Sequence, residues 1–121
     1  MNFQKLVTQR NDYFLTAEIE DISTASSTFV AVPDGGRVIK IISALQGAIS
    51  GGNAALSFEI GGTAITGGGI TVAHSGSAAG TVDSSEPTAA NRVEEDGTIE
   101  IITDGGSTGA KKCLITFVIR R

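Results

Sequence analysis

Apolar and polar positions alternate with a period of two over several short stretches of this chain. That spacing turns one face of a β-strand toward a core and the other toward water. Tyr13, Leu15, Ala17 and Ile19 share one face, opposite Thr16, Glu18 and Glu20. Leu56, Phe58 and Ile60 alternate with Ser57 and Glu59, Ile70 and Val72 flank Thr71, and Ile99 and Ile101 flank Glu100. Each of these predicts a half-buried strand. A further short strand is predicted in "TFVAVP", where Pro33 ends it.

Two stretches are apolar on both faces. Over residues 37–49, Ile39, Ile41 and Leu45 fall on one face, and Val38, Ile42 and Ala44 on the other. In "KKCLITFVIRR", Cys113, Ile115, Phe117 and Ile119 line one face, with Leu114 and Val118 opposite. A strand with two dry faces lies between two layers, or between its own sheet and another subunit. Val38, Ile42, Leu114 and Val118 are therefore the predicted subunit interface.

Between these runs stand turn sequences: "PDGG", "SGGN", "GGTAITGGG", "EEDG" and "TDGGSTGA". Proline presets φ there, and glycine accepts a positive one. Residues 75–93 are small and polar, with poor periodicity, and predict a long loop with one short strand near 80–82. No stretch of ten residues or more carries a helical period. Together these predict a single-domain all-β sandwich, jelly-roll-like, of about eight short strands over residues 13–121. Residues 1–12 lack a clear period and predict an N-terminal arm or an edge strand.

Composition narrows the function classes. A chain of 121 residues fits one domain. The net charge of −4 and the scattered basic residues exclude the clustered cationic footprint that nucleic-acid binding requires. The single cysteine forbids an internal disulfide. The opening "MNFQKLVTQRNDYFL" lacks the apolar core of a signal peptide, and "RVIKIISALQGAI" is interrupted by Lys40 and too short to span a bilayer. No membrane partner and no export by the general secretory route are expected.

Candidate chemistry is sparse. The run "GGTAITGGG" spaces two glycines as a phosphate loop does, but Gly68 and Gly69 stand where lysine and a hydroxyl residue are needed. The segment "GGSTG" places Ser107 in a G-x-S-x-G pattern, yet a strand rather than a helix follows, and no histidine or side-chain carboxylate comes after it. His74, the one histidine, has no partners at metal-ligand spacing. The "VEEDG" acids lack the spacing of a calcium loop, and Cys113 lies in the inward row of a strand. The expectation is no catalytic residue, no metal and no cofactor.

The phrases "IEDISTASSTFVAVPDGGRVIKIISALQGAIS", "LSFEIGGTAITGGGITVAHSGSAAGTVDSSEPTAANRV" and "GTIEIITDGGST" resemble small proteins encoded by tailed bacteriophages beside their capsid genes. The likeness covers residues 18–121 and lies in texture, with "FVAVPDGGRV" and "PTAANRV" its most characteristic phrases. It implies a capsid decoration (cement) protein, made in the host cytoplasm and placed on the outer capsid surface of the virion. Such proteins are often homotrimers that hold neighbouring major capsid subunits together. On that reading the arm would reach the capsid, with Lys5 and Arg10 meeting carboxylates and Phe3 and Leu6 entering an apolar groove. The rival class is a carbohydrate- or receptor-binding module of a fibre or adhesin. The long loop at 75–93 favours it, and the absence of Trp, with one Tyr, speaks against it.

Overall fold

The computed structural model describes residues 11–121. The predicted capsid-binding arm residues Phe3, Lys5, Leu6 and Arg10 lie outside the described residues. Among the described residues the chain forms ten strands and no helix. In order they are β1 (Asp12–Ile19), β2 (Ser26–Ala31), β3 (Gly36–Leu45), β4 (Ala54–Ile60), β5 (Thr63–Ala64), β6 (Ile70–Val72), β7 (Val82–Ser85), β8 (Arg92–Val93), β9 (Thr98–Thr103) and β10 (Cys113–Arg120).

Two five-stranded antiparallel sheets pack face to face. Sheet A runs β1-β10-β3-β7, with β8 also on β3, and sheet B runs β2-β9-β4-β5, with β6 also on β4. The first four strands alternate between the sheets. On the return, β9 inserts between β2 and β4, and β10 between β1 and β3. This wrapping is the jelly-roll arrangement of a sandwich.

The core is built from the inward rows that the alternation marks. Phe58 of β4 and Phe117 of β10 meet edge to face across the two sheets, with ring centroids 5.7 Å apart at 90°. That is the preferred geometry of an aromatic pair. Ile41, Ile99, Ile101 and Ile115 are fully enclosed around them. The buried Thr103 hydroxyl is matched, donating to the carbonyl of Ile22 at 2.9 Å. Glycine is required where chains touch. A Cβ on Gly36 would stand 2.7 Å from the Arg120 carbonyl oxygen, and one on Gly105, at φ +70°, 2.6 Å from the Ala25 nitrogen.

The structure departs from the sequence expectation in three places. First, the strand expected over residues 37–49 ends at Leu45, and it carries a bulge. Val118 pairs with Lys40 and Ile119 with Val38, so Ile39 is an extra residue on β3. The bulge reverses the side-chain phase, as bulges do. Val38 therefore joins Ile41 on the inner face and is 0% exposed, against its expected place in a subunit interface. Second, residues 75–93 hold two short strands rather than one. Neither shows an apolar period, because β7 is a short polar edge strand and β8 is only two residues long, the latter fastened to β3 by Asn91. Its side-chain amide donates to the Val38 carbonyl at 2.7 Å, and the Val38 amide donates to the Asn91 carbonyl at 2.8 Å. Third, there are ten strands where about eight are expected. The two-residue strands β5 and β8 are too short to show a period.

Candidate functional site: the outward face of sheet A

Sheet A turns an apolar field to the outside. Its cross-strand rows follow from the register of β1 on β10, of β10 on β3 and of β3 on β7. Phe14 stands beside Val118 and Lys40; Thr16 beside Thr116, Ile42 and Ser84; Glu18 beside Leu114, Ala44 and Val82. Phe14 is 71% exposed and Val82 61%, while Ile42, Leu114 and Val118 are half-buried between them. Three of the four predicted interface residues thus share one surface. Large apolar side chains grouped on an outer sheet face are the unusual feature, since single exposed ones are ordinary.

One end of this face is cationic. Asp12, Arg120, Arg37 and Arg92 form a single row across β1, β10, β3 and β8. Arg37, Ile39, Arg92, Arg120 and Arg121 line one surface hollow. Arg120 is held by Asp12 in a two-pronged pair, Nε to Oδ1 at 3.0 Å and Nη2 to Oδ2 at 3.3 Å. Arg121 reaches Asp34 at 2.9 Å and Asn11 at 2.7 Å, and lies 5.2 Å from the centre of the Tyr13 ring. The Tyr13 hydroxyl donates to the Asp34 carbonyl, and burial raises its pKa above the usual phenol value. Among the described residues Arg92 has only the loose approach of Glu94 at 3.9 Å, with both side chains mostly in solvent. Arg37 makes no ion pair among the described residues. The bulge at Ile39 is what turns Arg37 outward, because without it Arg37 would share the phase of Ile41.

Local sequence gives no sign of this row. Its three arginines come from distant strands, and only strand register shows that they are neighbours. The scattered basic residues of the sequence are, in part, gathered by the fold.

The other predicted candidates lie elsewhere. His74 caps a turn: its Nδ1 is 2.8 Å from Asn53 Oδ1, and its backbone amide donates to the same oxygen at 3.1 Å. Ser107 is buried, its hydroxyl finds no partner among the described residues, and an irregular stretch and then β10 follow it. Among the described residues no group of His, Cys, Asp or Glu is arranged to hold a metal ion. Cys113 is enclosed, and burial pushes its thiol up to about 11. Asp21 and Asp104 are held below the usual carboxylate value by hydrogen bonds. Asp21 accepts from the Ser23 side chain and amide and from Thr24, and Asp104 from the amides of Ala55 and Gly106. Both carboxylates fasten turns. Among the described residues no helix is long and apolar enough to cross a membrane.

No protein-family model matches the chain, and no curated protein matches it. Solved structures do. A chain of the acid-stable capsid structure of Helicobacter pylori bacteriophage KHP30 is similar at a TM-score of 0.59 and 12% identity, over 91% of this chain and 87% of that one. A chain of the disulfide-linked pili forming Bacillus endospore appendages aligns at a TM-score of 0.40 and 18% identity, over 93% and 90%. The first likeness is one of fold.

Proposed function

We propose that this chain is a structural protein of a phage virion, decorating the outer capsid surface and bridging neighbouring major capsid subunits. The observation that carries the reading is the jelly-roll sandwich shared, over nearly its whole length, with a chain of a phage capsid structure. Fold alone assigns no function, so the outward face of sheet A bears the second half of the proposal. A cement protein needs self-complementary surface rather than reacting groups, and Phe14, Ile42, Leu114, Val118 and Val82 supply an apolar one. In this reading that face closes a homotrimer. The arm at residues 1–10, with Phe3, Lys5, Leu6 and Arg10, extends onto the capsid. Asn11, the first described residue, accepts a hydrogen bond from Arg121 beside the arginine row.

The mechanism is linkage. A protein that binds closed capsid junctions, and not separated subunits, stabilises the closed shell in proportion to occupancy. Many equivalent sites make this effective with modest affinity at each. Heating DNA-filled capsids with and without the protein tests it. Saturating protein should raise the temperature of DNA release, and an unchanged release temperature at saturation contradicts the proposal.

A further inference from the structure

We infer that the arginine row of sheet A is a docking site for adjacent carboxylates on an acidic segment of another polypeptide. Cross-strand neighbours of like charge destabilise a sheet, yet Arg37 sits directly between Arg92 and Arg120. Among the described residues Arg120 has a close acid, Asp12, at the far end of the row, and Arg92 the loose approach of Glu94. Two construction details hold this arrangement in place. The bulge at Ile39 aims Arg37 outward, and Asn91 clamps the chain beside Arg92 to Val38. A fold that wanted only stability would set a neutral or acidic side chain at position 37. Guanidinium forks pair with carboxylates in two-pronged fashion, and the hollow beside Arg37 gives such a group a place to enter. Ile39 in the hollow and Val118 nearby add the apolar surface that accompanies arginine in protein interfaces.

The surroundings select the occupant. Asp12, Asp34 and Glu94 border the row. A nucleic-acid duplex, carrying phosphates along its whole length, would be repelled at these borders, whereas a short acidic segment fits between them. The chain's own residues 1–10 contain Lys5 and Arg10 and no acid, so they do not complement the row. A second copy offers Glu59 and Glu100, paired side by side on sheet B. They lie on the opposite sheet, so a copy would reach them only head-to-tail, and a copy also carries Glu94, Glu95 and Asp96 in the turn after Arg92. The occupant proposed is a different protein, and self-association through the row is the outcome that would overturn this. On the function proposed above it is the capsid, and only that identification rests on that reading.

The test compares full-length protein with the Arg37→Glu/Arg92→Glu variant. A Lys111→Glu/Lys112→Glu control makes the same charge change at the other end of β10. The probe is a fluorescein-labelled hexaglutamate peptide read by anisotropy at low salt, with a short DNA duplex and inorganic phosphate as competitors. Expected is at least about a tenfold loss of peptide affinity in the arginine variant and little change in the lysine control. A single Arg37→Glu variant should also melt about 2–5 °C higher, because an acid between Arg92 and Arg120 replaces a like-charge contact. Equal loss in both variants, unchanged affinity in the arginine variant, tighter binding of duplex than peptide, displacement by phosphate alone, or a row that serves self-association in sedimentation would each overturn the inference. Pelleting with empty capsids separates the two proposals. If the arginine variant pellets like wild type, the capsid is not the acidic partner, although the capsid reading stands. If wild type never pellets, the capsid reading fails while the peptide result keeps its meaning.

Discussion

Cys113 shows how far a single side chain is governed by its place in the sandwich. Its thiol is enclosed in the inner row of β10, and burial raises its pKa to about 11 from a usual value of 9.0. The sign follows from linkage: a group whose folded pKa is raised contributes stability fully below its unfolded value and loses it as pH climbs. Native protein should therefore weaken progressively between about pH 9 and 11, and a Cys113→Ala variant should weaken less over that window. Melting curves across the range check this; identical slopes for the two proteins would contradict it. Asp104 works in the opposite direction. Its carboxyl is held down by the amides of Ala55 and Gly106, so its contribution is present above the usual value of 3.8 and lost as pH falls below it. An Asp104→Asn variant should show a shallower fall in melting temperature between about pH 5 and pH 2 than wild type. The inward character of Cys113 is legible in sequence from its alternation with Ile115 and Phe117. The bond from the Ala55 amide to Asp104 is not, because it depends on β4 lying beside the turn, whereas the bond from Gly106 is local.

At the scale of the strand, β1, β4 and β9 are read correctly from the alternation of a dry face with a wetter one, and β10 from its two apolar rows. Strand β3 is misread for a physical reason. Alternation fixes the phase only while the ladder is regular, and the extra residue at Ile39 inverts it without leaving a mark in composition. Arg37 and Val38 exchange faces at that point, and with them part of the predicted interface. Deleting Ile39 should restore a simple ladder, driving Arg37 toward the core and Val38 into water. Burying an unpaired guanidinium costs several kcal/mol, so the deletion variant should lose about 3 kcal/mol or more of stability in urea unfolding. A loss under about 1 kcal/mol would mean the bulge is incidental. The same inversion explains why the arginine row escapes notice in sequence. Arg37, Arg92 and Arg120 are brought together by register alone.

For the whole molecule, the all-β sandwich class follows from short alternating runs with glycine turns between them, while the order of strands that makes it a jelly roll comes from the pairing alone. The surface that matters is less visible. Half-buried Ile42, Leu114 and Val118 announce a second apolar face in sequence, while Phe14 and Val82 join it only once β1 and β7 are placed beside β10 and β3. On the proposed function this sandwich assembles with itself and then with a capsid. Sedimentation of the purified protein, alone and mixed with empty capsids over a range of ratios, measures both steps in one experiment. Expected is a trimer in solution that pellets with capsids and saturates at a fixed ratio to capsid subunits. A monomer that stays in the supernatant at every ratio would contradict it.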